Sequence, residues 1–135
     1  MSQATRRGRA LGIGGVFFKA GDTGAIGDWY RDALGFDIAE WGGALFPWQR
    51  EDGKPGWTVW SPFASDTTYF DPGDKPYMIN LLVDDLDSLL AHLRERGDRV
   101  LDRAEQTEQG RFAYVLDPEG TLLELWEPCD EPALG

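Results

Sequence analysis

The chain has 135 residues, the length of one ordinary domain, and is 41% hydrophobic and 27% charged, so it can bury a core. Its 24 Asp and Glu outnumber 13 Lys and Arg, and the net charge of −11 repels phosphate backbones and argues against nucleic-acid binding. One cysteine, Cys129, rules out an internal disulfide and fits a reducing compartment; with a single histidine, His92, it also rules out cysteine-rich zinc sites and sites needing two histidines of one chain.

No apolar run approaches the roughly 20 residues of a membrane-spanning helix, and the expected location is the cytoplasm. Arg6, Arg7 and Arg9 before Leu11–Phe18 imitate a signal peptide. That stretch is short, broken by glycines and followed by Lys19 and Asp22, so it reads as a basic tail leading into a strand. Gly12, Gly14 and Gly15 precede the predicted strand, Val16–Ala20, rather than following one, which speaks against a dinucleotide-binding loop.

A helix comes next. Ile26, Trp29, Tyr30, Ala33 and Leu34 recur at the helical period and predict one buried stripe that includes Trp29. Asp22 or Thr23 is its N-cap candidate and Gly35 its stop. Gly43–Gly53 reads as a strand running into a turn, and Trp57–Pro62 as another strand. Residues 64–76, rich in Asp, Thr, Gly and Pro, form a linker and a candidate mobile loop over a site.

The second half repeats the first. Ile79–Val83 is strand-like, and Leu86, Leu89, Leu90 and Leu93 form a helical stripe between Asp84 or Asp85 and Gly97. A shift of 63 lays Asp22 on Asp85, Ile26 on Leu89 and Tyr30 on Leu93. A shift of 67 lays Gly43–Gly53 on Gly110–Gly120, and one of 66 lays Trp57–Pro62 on Leu123–Pro128. Each half thus reads strand–helix–strand–strand–strand, with module one at about 12–63, the linker at 64–76 and module two at about 77–128.

Three segments carry a resemblance. Trp29–Phe36 looks like the "FYRDxLGF" segment of the vicinal oxygen chelate superfamily, Val83–Asp87 like its "VxDLD" helix start, and Asp117–Leu125 like its "DPDGNxIEL" ending. That superfamily includes glyoxalase I, extradiol dioxygenases, methylmalonyl-CoA epimerase and bleomycin-resistance proteins. The resemblance spans about residues 12–128. It implies an α+β fold of two tandem βαβββ modules. Their strands form a curled, cup-shaped mixed sheet, with helices on the convex side and ligands in the cup.

On that frame, strand alternation sends Leu122, Glu124 and Trp126 into the cup and Leu123 and Leu125 under a helix. The repeat adds Thr58 and Trp60. The first strands add Gly15, Phe17 and Lys19, and Met78, Asn80 and Leu82. The metal-ligand positions of the superfamily carry over to Gly15, Thr58, Met78 and Glu124, of which only Glu124 is a good ligand for a hard cation. His92 falls on the second helix and does not complete a site. No metal and no cofactor are expected.

The expected site is therefore Glu124 as ligand anchor or general base, with Lys19 as a possible partner. Trp60 and Trp126 supply aromatic faces, Tyr114 a hydroxyl, and Phe17, Thr58, Met78 and Asn80 complete the lining. Trp41, Trp48 and Trp57 are assigned to core or interface, the Asp117–Gly120 segment to a structural turn, Arg111 to solvent, and Cys129 to no nucleophilic role. The resemblance implies a metal-independent homodimeric protein that sequesters a cationic or aromatic small molecule, as in the bleomycin-resistance branch. The alternatives are a lyase or isomerase using Glu124, and a non-catalytic interaction module with a closed cup.

Overall fold

The computed structural model describes residues 7–129, so Arg6 and the acidic segment after Cys129 lie outside the described residues. The elements are β1 (Ala10–Ala20), α1 (Thr23–Leu34), β2 (Ala44–Gln49), β3 (Pro55–Ala64), β4 (Tyr77–Val83), α2 (Leu86–Arg96), β5 (Arg99–Thr107), β6 (Gly110–Leu116) and β7 (Leu122–Pro128). The strands form one curled, unclosed sheet in the order β2-β3-β1-β4-β7-β6-β5. β1 runs parallel to β3 and β4 parallel to β7, whereas the other neighbours are antiparallel; the halves meet at β1–β4. The fold is the expected α+β cup. Among the described residues no helix is long and apolar enough to cross a membrane.

Local chemistry sets the helix ends. Asp22 Oδ1 accepts from Ala25 N at 2.9 Å and Asp85 Oδ1 from Ser88 N at 3.3 Å, so these are the two N-caps. Gly35 (φ 76°) and Gly97 (φ 88°) end the helices in the left-handed conformation that glycine adopts without a Cβ clash. The Asp117 carboxylate accepts from Glu119 N and Thr121 N, which makes 117–120 the expected structural turn.

α2 presses Leu86 and Leu90 onto Ala113, Val115 and Leu125 on the convex face of the sheet. Burial of each leucine contributes about 2 kcal/mol. The concave face carries a separate cluster: Phe17, Phe70, Met78, Tyr114, Leu116 and Leu122.

The first half departs from expectation in four ways. β1 begins at Ala10, so Gly12, Gly14 and Gly15 lie inside a strand; the pairing shifts register between Ile13 and Gly15, a bulge at the glycines. Residues 35–43 form no strand, so α1 is followed by two strands where α2 is followed by three. α1 therefore covers a narrower sheet: the Tyr30 ring packs tilted against Trp60, centroids 4.5 Å apart, while Trp29 (55% exposed) and Leu34 (59% exposed) face out. Trp29 is thus not core, and Trp41 is exposed as well.

The fourth departure is a one-residue slip in β3. Gln49 pairs with Pro55 and Leu116 with Leu122, so the two hairpin loops have equal length and the offset of 67 runs on into the last strands. The offset of 66, which matches Trp60 to Trp126, breaks that register. Shifting a strand by one residue turns every side chain to the other face. Thr58 and Trp60 consequently lie on the convex side: Trp60 against Phe18, Tyr30 and Phe36, and Thr58 hydrogen-bonded to Trp48 Nε1 and Ile13 O. Trp57, Val59 and Phe63 face the cup instead.

Candidate ligand site in the cup

Glu124 projects from β7 into the cup and is 3% exposed. Its neighbour on β4, Asn80, pairs with it in register and donates from Nδ2 to Oε1 at 2.7 Å. Tyr114, opposite Glu124 on β6, donates to Oε2 at 2.6 Å, and Tyr69 donates to the same oxygen at 2.7 Å. Desolvating a carboxylate without partners is prohibitive, and these donors are what allow it to stay here. Lys19 is not among them: its Nζ sits 6.0 Å from the Phe70 ring.

Tyr114 is fully buried, and its hydroxyl also lies 2.7 Å from Glu105 Oε2 on the exposed edge strand β5. One phenolic proton serves one carboxylate at a time, so Tyr114 links the buried Glu124 to a carboxylate in solvent. Burial first, and then the Glu124 charge, raise both phenols well above the ordinary tyrosine range. The Arg103 guanidinium lies 3.9 Å from the Tyr114 ring and 4.5 Å from the Tyr69 ring.

Beside Glu124 the cup retains a cavity of about 150 Å³ between Phe17, Val59, Phe112 and Trp126. Phe112 and Trp126 lie parallel at 6.1 Å. Asn80 is 2% exposed, and its Oδ1 is buried without a hydrogen-bond partner. It faces Gly14, where a Cβ would come within 2.2 Å of it. A buried acceptor without a donor forfeits about 1–3 kcal/mol. Such a group beside a cavity marks a place for a ligand's donor.

A larger hollow, about 410 Å³, opens between Arg50, Lys54, Trp57, Asp84, Asp85 and Glu127. Several of its charges are already engaged within the chain: Arg50 with Asp52, Asp84 with Arg9 N, and Glu127 with Leu86 N. Arg50 Nε in that hollow is buried without a partner, as Asn80 Oδ1 is in the cup, but the cup is the better candidate because its walls are apolar and aromatic.

Residues 15–126 match the glyoxalase-like domain. The chain belongs to the glyoxalase-like family. No curated protein matches it. Among solved structures it is similar to a Streptomyces coelicolor methylmalonyl-CoA epimerase in complex with 2-nitronate-propionyl-CoA, at 20% identity, TM-score 0.65, covering 90% of this chain and 99% of that one. It is similar to a methylmalonyl-CoA epimerase from Mycobacterium tuberculosis, at 19% identity, TM-score 0.56 and 89% of each chain. A glyoxalase/bleomycin resistance protein/dioxygenase superfamily member from Vibrio splendidus aligns at 14% identity, TM-score 0.55, covering 83% of this chain and 95% of that one. At these identities the likeness is one of fold.

The superfamily's metal finds no donor set here. Val59, Gly15, Asn80 and Glu124 lie at one level across β3, β1, β4 and β7. A hydrocarbon, a missing side chain, an amide and one carboxylate do not make the coordination shell of Zn²⁺ or Mn²⁺. Among the described residues no group of three His, Cys, Asp or Glu converges anywhere. His92 lies on α2, beside Leu89 and Leu93 on the convex side.

Of the residues read from sequence, Phe17, Met78, Asn80, Tyr114, Glu124 and Trp126 share the cup, while Thr58 and Trp60 do not. Arg111 is not simply solvated: it pairs with Asp87 and ties α2 to β6. Sequence reading missed Val59, Tyr69, Phe70, Arg103 and Glu105. For Tyr69 and Phe70 a signal existed, since they are the aromatic pair in an otherwise polar linker.

Proposed function

We propose that the cup binds a ring-sized organic molecule carrying an N–H or O–H donor, holding it without a metal as a sequestering protein does. The observation that carries this reading is the partnerless Asn80 Oδ1 beside the cavity of about 150 Å³. An engineered protein cavity of about that volume accommodates benzene. Aromatic walls favour a flat ring, and an amide oxygen next to a carboxylate favours an ammonium donor. An arylalkylamine is accordingly the preferred class. Benzylamine should bind 1:1 in calorimetry and toluene at least tenfold more weakly; equal affinities would remove the role of Asn80. The exposed Trp29, Leu34 and Phe46 support the homodimer within the same proposal, and equilibrium sedimentation tests it.

One observation favours a second reading, a lyase or isomerase. The Glu124–Tyr114–Glu105 chain offers a proton taken up by Glu124 a way out to solvent. If that is its work, carbonyl compounds with an acidic C–H should gain deuterium in D₂O with the wild type and not with Glu124→Gln.

A further inference from the structure

Tyr69, like its neighbour Phe70, differs from the other walls of the cup because it does not come from the sheet. It hangs from the segment between β3 and β4, yet it meets a complete set of partners. Its ring stacks on Phe63 at 5.5 Å with planes 23° apart, and the Arg103 guanidinium covers it at 4.5 Å. Its hydroxyl donates to Glu124 Oε2 at 2.7 Å and lies 3.0 Å from the Tyr114 hydroxyl. Ring stacking, a cation over a π face and an acceptor for the hydroxyl are together what recognises a hydroxyphenyl group.

The sheet does not need Tyr69 to keep Glu124 buried. Asn80 holds Oε1, and Tyr114 holds Oε2 whenever its proton is not with Glu105, so the sheet still supplies the carboxylate with donors when Tyr69 leaves. Tyr69 is only half-buried, whereas Phe70 beside it is 1% exposed and pins the segment. The Tyr69 hydroxyl meets Glu124 Oε2, while the open cavity is lined by Asn80 and the same Glu124, so the cup has two subsites, one open and one filled from within.

We propose that Tyr69 is a built-in occupant of the cup, and that its subsite takes the hydroxyphenyl group of a phenolic ligand that displaces it. This rests on the reading that the cup binds a small molecule, but uses the Oε2 side of Glu124 rather than the Asn80 side. Ligand binding and closure by the chain's own tyrosine then compete, which sets a threshold for occupancy.

Chemical rescue tests it. Tyr69→Ala opens the subsite, and phenol at about ten times its Kd should raise the melting temperature of that variant by about 5 °C. Toluene should do less, phenol should do less for the wild type, and the preference for phenol should vanish in Tyr69→Ala/Glu124→Gln. Equal stabilisation of wild type and variant, or no preference over toluene, overturns the proposal. Should Tyr69→Ala not fold, the wild type answers by NMR. Saturating phenol should abolish the nuclear Overhauser contacts between Tyr69 and Phe63, and their persistence refutes displacement. Benzylamine binding to the wild type is a separate readout: where it succeeds and phenol rescue fails, the open cavity stands and the Tyr69 subsite falls.

Discussion

The two halves share a chain path but not a job. In the second half α2 seals the convex face with Leu86 and Leu90, and β4, β6 and β7 send Asn80, Tyr114 and Glu124 into the cup. In the first half α1 buries little more than Gly27 and rests Tyr30 on Trp60, while β1 and β3 give the cup glycine, hydrocarbon and one indole: Gly14, Phe17, Trp57, Val59 and Phe63. One half brings polar recognition and the tighter core; the other brings an apolar wall, a bulge that opens space in front of Asn80, and an aromatic outer surface. A repeat can therefore keep its geometry while its chemistry moves to one side.

Core substitutions should break this asymmetry most visibly. Leu86→Ala should cost about 3 kcal/mol in denaturant unfolding, and Leu34→Ala less than about 0.5 kcal/mol, because only the first leaves a cavity. Comparable costs would mean that α1 is covered, as a dimer would cover it. Next is Glu124→Leu, which strands the Asn80 amide and turns the Tyr114 and Tyr69 protons to Glu105 and the Tyr114 oxygen; it should destabilise by about 2 kcal/mol, against about 1 kcal/mol for Val59→Ala across the sheet.

Alkaline titration probes the polar half alone. The folded state holds Tyr69 and Tyr114 neutral to higher pH than the unfolded chain does. Stability is complete below the ordinary tyrosine value and falls once the unfolded chain begins to lose those protons, above about pH 10. The slope should approach about 2.7 kcal/mol per pH unit for the pair and about half that in Tyr114→Phe. Helix caps give the smallest contrast. Asp22→Ala should cost about 1 kcal/mol. Asp85→Gly should be nearly neutral, because the lost cap is offset by relief at φ 43°.

How much of this was readable in the chain depended on landmarks. In β7, Asp117 and Gly120 anchor the turn, and alternation from there places Glu124 and Trp126 correctly. β3 lies in an equal-length hairpin, but a Trp–x–Pro match one residue out of step competes with it and points Thr58 and Trp60 to the wrong face. The α1 stripe has the right period, yet nothing local announces that residues 35–43 supply no strand for it to cover. Tyr69, Arg103 and Glu105 reach the cup through tertiary closure of the linker and the edge strand, which periodicity does not encode.

The most direct measurement is calorimetric titration of benzylamine into the wild type, Asn80→Leu and Trp29→Ala. An account that puts recognition in the second half predicts 1:1 binding to the wild type, at least a tenfold loss in Asn80→Leu, and unchanged affinity in Trp29→Ala. Undiminished binding in Asn80→Leu, or a loss confined to Trp29→Ala, would contradict it.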